Sequence, residues 1–186
     1  MKTKPMTTDT LVFNEDSIIS LEYGVVMMSW EKEIMEAHAK VIATGGDVLE
    51  IGFGMGLSAT AIQEYGVSSH TIVEIHPEIA KRAREWAKDY PNVTIIEAAW
   101  RDIGDGLGQY DGIFYDAESD PAQSEFPIFV KEKLIRPGGI FTWFNPNGVP
   151  NGTYEWTGPY DVSKAANNSK VGYINKPEYY VPFIKY

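Results

Sequence analysis

Five short, almost continuously apolar runs, separated by stretches with helical spacing, constrain this chain more than any other feature. They are Asp47–Ile51, Thr71–Ile75, Val93–Glu97, Gly112–Asp116 and Ile140–Phe144. Runs this short without polar alternation are strands buried on both faces. Between them, Leu57–Tyr65, Pro77–Asp89 and Glu125–Ile135 have helical composition, the last closed by Pro137 and two glycines. Before the first run, Trp30, Ile34, Ala37, His38 and Val41 recur at three- and four-residue spacing beside Glu31, Lys32, Glu33, Glu36 and Lys40. That pattern predicts an amphipathic helix over 29–43, with Ser29 as its cap and Gly45-Gly46 as its stop. The expected fold is α/β: a doubly wound, mostly parallel sheet with helices on both faces.

The two ends break this rhythm. Lys2 to Asn14 is polar, weakly patterned and interrupted by Pro5, so residues 1–24 are expected to be an arm or lid ahead of a single domain over 25–186. The tail beyond Asn145 is rich in Gly, Pro, Asn and Tyr. Only Lys170–Ile174 and Tyr179–Ile184 look like strands there, and they predict a closing antiparallel hairpin. Tyr173, Tyr179, Tyr180 and Tyr186 would pack on their own sheet or on a neighbour, the latter giving a possible homodimer.

Composition removes several function classes. A length of 186 residues suits one domain, and no run of about 18 apolar residues crosses a bilayer. The first nine residues carry two lysines with no apolar stretch behind them, so no secretory signal and a cytoplasmic location are expected. Zero cysteines exclude disulfides and thiolate metal sites. A net charge of −10 disfavours nucleic acid and suits a cationic small-molecule substrate, or simply keeps the surface soluble. His38 and His70 read as ordinary helix and loop residues, and no metal site is expected.

The candidate site begins at Glu50-Ile51-Gly52-Phe53-Gly54-Met55-Gly56. These glycines follow a strand and open a helix, where such sheets bind ligands beyond the carboxyl ends of their strands. Glu50 would be an expensive buried carboxylate unless partnered, for instance by a cationic amino group. Glu74 ends the next strand, 20 residues past Gly54, the spacing at which a carboxylate accepts both hydroxyls of a ribose. Together they read as a nucleoside site. The third glycine of a dinucleotide fingerprint is replaced by Leu57, which favours S-adenosyl-L-methionine over a nicotinamide dinucleotide or a purely structural turn.

Val26-Met-Met-Ser-Trp-Glu31, the glycine string, Ile72-Val-Glu74, Trp100, Tyr115-Asp116 and Arg136-Pro-Gly-Gly139 occur in one order over about residues 25–145. In that order they resemble the guanidinoacetate and arginine N-methyltransferases, class I enzymes with a Rossmann-like fold. The resemblance implies cofactor contacts from Met27, Met35, the segment Glu50, Ile51, Gly52, Phe53, Gly54 and Met55, then Glu74, Ile75 and His76, and Trp100 with Arg101. It implies that Glu31 and Asp116 embrace a guanidino group and that Asn145, Pro146 and Asn147 hold a substrate carboxylate. After Asn145 this chain is shorter than the family pattern, which leaves the methyl acceptor open.

A guanidinium is protonated and a poor nucleophile, so a base must take a proton as the new bond forms. Asp116, at the end of a central strand, is the candidate base, and Glu31 the second arm of the clamp. On pattern alone Glu31 would be a solvated helix face, Met27 and Met35 core filler, and Trp100 a core aromatic. Rival functions are methyl or aminopropyl transfer to another small amine, or cofactor binding without catalysis.

Overall fold

The computed structural model describes residues 6–117, 123–168 and 172–186. Ahead of the main sheet, β1 (Leu11–Phe13), β2 (Ser17–Ser20) and β3 (Gly24–Met28) form an antiparallel three-stranded meander. Within the segment expected to be an arm over residues 1–24, a 3-10 turn over Met6–Thr8 thus precedes the meander. Two apolar side chains and one carboxylate hold it in place. Leu11 and Ile18 bury against Phe53, Ala59 and Ile79, while Asp9 accepts hydrogen bonds from Ser20 Oγ and from the backbone N–H of Thr10 at 2.7 Å.

A 3-10 turn over Ser29–Glu31 leads into α1 (Lys32–Ile42). Here the cap differs from expectation: it is the Glu31 carboxylate, reaching back to the Met28 N–H at 2.8 Å, and not Ser29. Then follow β4 (Asp47–Ile51), α2 (Leu57–Glu64), β5 (Ser69–Glu74), α3 (Pro77–Trp86), β6 (Val93–Glu97), the short α4 (Trp100–Ile103) and β7 (Tyr110–Tyr115). His70, expected in a loop, is a buried residue of β5.

The next helix is shorter and wider than its pattern suggests: α5 (Phe126–Phe129) runs on as one π turn over Val130–Leu134. The chain enters β8 (Ile135–Trp143) directly, with Pro137 and the glycines inside the strand, where its register against β7 shifts. β9 (Glu155–Asp161), α6 (Ser163–Ala166) and β10 (Glu178–Lys185) complete the chain.

The seven-stranded sheet has the order β6-β5-β4-β7-β8-β10-β9. Strands β4 to β8 pair in parallel, and β10 pairs antiparallel with both β8 and β9, which is the closing hairpin. One arm of that hairpin is misplaced in the sequence reading. Gly172–Ile174 is not a strand, Lys170 lies outside the described residues, and Glu155–Asp161 takes the pairing position. Helices α1, α2 and α3 cover the sheet face carrying Val48, Ile72 and Phe114, whereas Phe126, Val130 and Trp100 cover the face carrying Leu49, Ile51 and Ile113. The chain winds outward from β4 to β6 and then returns to place β7 on the other side of β4. Ligands bind at such a switch point, so the tips of β4 and β7 locate the site. Among the described residues, no helix is long and apolar enough to cross a membrane.

Candidate active site

The tips of β4, β5 and β7 are tied together by their backbones. Gly52 N–H donates to Val73 O at 2.8 Å, and Asp116 N–H donates to Ile51 O at 2.9 Å. Gly52 has φ +91°, and a Cβ there would lie 2.2 Å from the Asp116 carbonyl oxygen. Only glycine allows this approach. Gly54 has the same kind of constraint against another element, because a Cβ would meet Met27 Sδ at 2.7 Å. That sulfur accepts the Met55 N–H at 3.1 Å and so fastens β3 to the glycine loop.

Glu74 closes the loop from the β5 side. Its two oxygens accept the backbone N–H of Phe53 and of His76, each at 2.8 Å. Burial raises its pKa above the ordinary carboxylate value, and the backbone donors oppose that rise. The Gly54 N–H adds a further backbone donor, and the roughly four acceptor positions of a carboxylate still leave room for a ligand hydroxyl. His76 caps α3 by accepting the Glu78 N–H on Nδ1 at 3.2 Å. Its Nε2 therefore carries the hydrogen and donates to the Asp9 carbonyl at 3.2 Å, which docks the N-terminal meander onto the site.

A cavity opens where these elements meet. Of the candidate site residues, Met27, Glu31, Ile51, Gly52, Gly54, Glu74, Ile75, His76, Trp100, Arg101 and Asp116 line it. Trp100 is held edge-on to Phe126, with Arg101 over its ring. Glu31, far from being a solvated helix face, is 3% exposed.

Seven expected residues do not line it, and Phe53 and Met55 are among them. Phe53 turns its ring onto Trp86 at 5.4 Å between centroids, and Met55 packs into the core, so both meet the site through their backbones only. Met35 is fully buried beneath α1 as core. Glu50 accepts from Ser58 Oγ and has Oε2 2.9 Å from His70 Nε2. Its strand position puts it on the α1–α3 face with Val48, so its carboxyl group turns into the protein and its side chain does not reach the cavity. Asn145 and Asn147 border a separate groove, and Pro146 lines neither. Glu118 and Asp120, which would add charge beside the pocket, lie outside the described residues.

The cavity also holds Tyr173, which the sequence reading places only in an aromatic tail. Its hydroxyl donates to Glu31 Oε1 at 2.6 Å. Burial and the negative charges of Glu31 and Asp116 push its pKa upward, so the phenol stays protonated. Glu31, just ahead of α1, and Asp116, just past β7, line this same cavity with Tyr173. No local pattern pairs residue 173 with residue 31.

The family model described as guanidinoacetate N-methyltransferase matches residues 8–175. The chain belongs to that family. Its similar relatives include proteins named protein arginine N-methyltransferase 2. That of Candida glabrata is 31% identical over 183 residues, covering 89% of this chain and 44% of the relative. That of Aspergillus oryzae is 35% identical, covering 80% and 40%. The chain thus spans less than half the length of these relatives. Among solved structures, the methyltransferase candidate yhhF of Escherichia coli superposes with a TM-score of 0.60 at 9% identity, over 82% of this chain and 84% of that one. The S-adenosylhomocysteine-bound methyltransferase PaMTH1 of Podospora anserina gives 0.51 at 24% identity, over 63% and 53%. These likenesses show the class I methyltransferase fold.

Proposed function

We propose that this chain binds S-adenosyl-L-methionine across the tips of β4 and β5 and transfers its methyl group to a guanidino or amine nitrogen held between Glu31 and Asp116. The observation that carries the reading is the meeting of these two carboxylates in the same cavity as the glycine loop and Glu74. A nucleoside fits the donor set: Gly52 and Gly54 present bare backbone, and Glu74 is a buried carboxylate that still faces the cavity. Glu74 would accept the ribose hydroxyls, while Trp100, Ile75 and Arg101 offer a flat and partly cationic edge for the base. When bound, the sulfonium supplies the electrophilic methyl carbon.

The protein's contribution is alignment and proton handling. Glu31 and Asp116 orient a planar cation by charge-assisted hydrogen bonds, which are stronger and more directional than neutral ones. Asp116 takes the proton that the nitrogen must lose. Tyr173, held protonated, is a donor and leaves the base role to the carboxylates. Met27, Tyr23 and Val25 wall the cavity from the N-terminal meander and would exclude water from the reacting centre.

The family description and the relatives' names share one chemical group, the guanidino, carried by a small molecule in one case and by an arginine side chain in the other. The test is a thermal-shift titration with S-adenosylmethionine, followed by incubation with guanidinoacetate, agmatine, arginine and an arginine-containing peptide, read by mass. A gain of one methyl on any of them supports the reading and identifies the acceptor. No stabilisation by the cofactor at millimolar concentration would reject it.

A further inference from the structure

A buried carboxylate aimed at a substrate must be held by fixed donors, or it turns toward whichever water is nearest. Glu31 has such donors. Its Oε1 accepts both the Met28 backbone N–H at 2.8 Å and the Tyr173 hydroxyl at 2.6 Å, one from its own turn and one from the C-terminal tail. We infer that Tyr173 is the positioning residue that sets Glu31 for the acceptor nitrogen, and that Asn147 in turn holds Tyr173; the inference rests on the proposed guanidino site.

The tyrosine ring is fixed from two sides. It stacks on Trp30 with centroids 6.0 Å apart and meets Phe144 edge-on at 6.3 Å. Its backbone is latched by a single side chain and its neighbourhood. Asn147 Nδ2 donates to the Tyr173 carbonyl at 2.9 Å, Asn147 Oδ1 accepts the Asn175 N–H at 3.1 Å, and Lys176 Nζ donates to the Asn147 carbonyl at 2.8 Å. Asn147 therefore serves the acceptor side indirectly, by fixing the loop that delivers the hydroxyl. With both lone-pair directions of Oε1 taken by the protein, the plane of the Glu31 carboxylate is set before any acceptor arrives. Such preorganisation counts toward acceptor affinity and turnover and not toward cofactor binding.

The experiment is calorimetric titration of the protein loaded with S-adenosylhomocysteine, using L-arginine and guanidinoacetate as probes, on the wild type, Tyr173→Phe and Asn147→Ala. Tyr173→Phe keeps both ring contacts and removes only the hydroxyl. It should leave S-adenosylhomocysteine affinity within about twofold and weaken the guanidino probe by about tenfold or more, the loss expected for a hydrogen bond to a charged group. Asn147→Ala, which keeps the hydroxyl but unlatches its loop, should show the same selective loss, and it decides the matter if Tyr173→Phe fails to fold. Unchanged probe affinity in either folded variant, or parallel loss of both ligands, overturns the assignment alone. A wild type that binds S-adenosylhomocysteine but neither these probes nor agmatine nor an arginine-containing peptide ends the guanidino reading and this assignment with it.

Discussion

Glu74 is under two opposed demands. Its carboxylate satisfies the N–H groups of Phe53 and His76, and burial penalises the charge that makes it a good acceptor. Replacing it with alanine leaves buried donors unpaired and removes the proposed ribose contact. Glu74→Ala should weaken S-adenosylhomocysteine by about 1–3 kcal/mol, measured by calorimetry, and an unchanged dissociation constant would take Glu74 out of the site. His38 carries a different consequence. Thr142 Oγ1 donates to the Pro182 carbonyl, so it must accept from His38 Nδ1, and Tyr179 must donate to His38 Nε2. The Tyr179 oxygen in turn accepts the Asn145 N–H at 3.0 Å. A second proton on His38 would set two donors face to face in a dry core, and burial lowers its pKa from 6.5 to about 3. Between those values only the unfolded chain takes up the proton, so stability present above the unfolded pKa is lost as pH falls toward the folded one. Urea unfolding near neutrality and again near pH 5 should show this slope in the wild type and a shallower one in His38→Gln. Equal slopes would mean that the network tolerates the imidazolium.

At the scale of elements, the tightest constraint is the junction of β4 and β7 at Gly52. An alanine there would adopt a strained φ and push against the backbone of Asp116, which cannot swing aside as a side chain could. Gly52→Ala should cost about 2–4 kcal/mol of stability, read by denaturant unfolding, and should weaken cofactor binding further because Asp116 and the loop move apart. A loss below about half a kcal/mol would show that the strand tips have slack. The elements themselves were largely readable. β4, α2, α3 and β6 fall within a few residues of their patterns, because hydrophobic period and glycine or proline stops act locally. The meander was not readable, since its strands are three to five residues long and only Leu11, Ile18 and Met27 among them are buried apolar anchors. The π turn had no signal, because it arises from joining α5 to β8 without a loop.

For the whole molecule, β10 is the closing piece. It lies between β8 and β9, and Tyr179 and Val181 are buried in the cluster that includes α1. Tyr179 thus packs on its own sheet. Deleting residues 178–186 would open the edge of β8, release β9 and remove the donor to His38. The shortened chain should lack a cooperative thermal transition and a near-ultraviolet dichroism signal; a cooperative transition with intact S-adenosylhomocysteine binding would show that β10 is dispensable. The sequence by itself determined the alternation of strands and helices, the glycine loop with Glu74 beyond it, and the presence of Glu31 and Asp116 at element ends. Those signals involve residues close together in the chain, where spacing translates directly into geometry. Only the tertiary structure decided that Glu50 turns into the layer beneath α1 and α2, and that Tyr173 closes on Glu31 from 142 residues away. Period-two alternation gives two faces without saying which one the ligand will use, and a contact across most of the chain exists only once the sheet that carries both ends has formed.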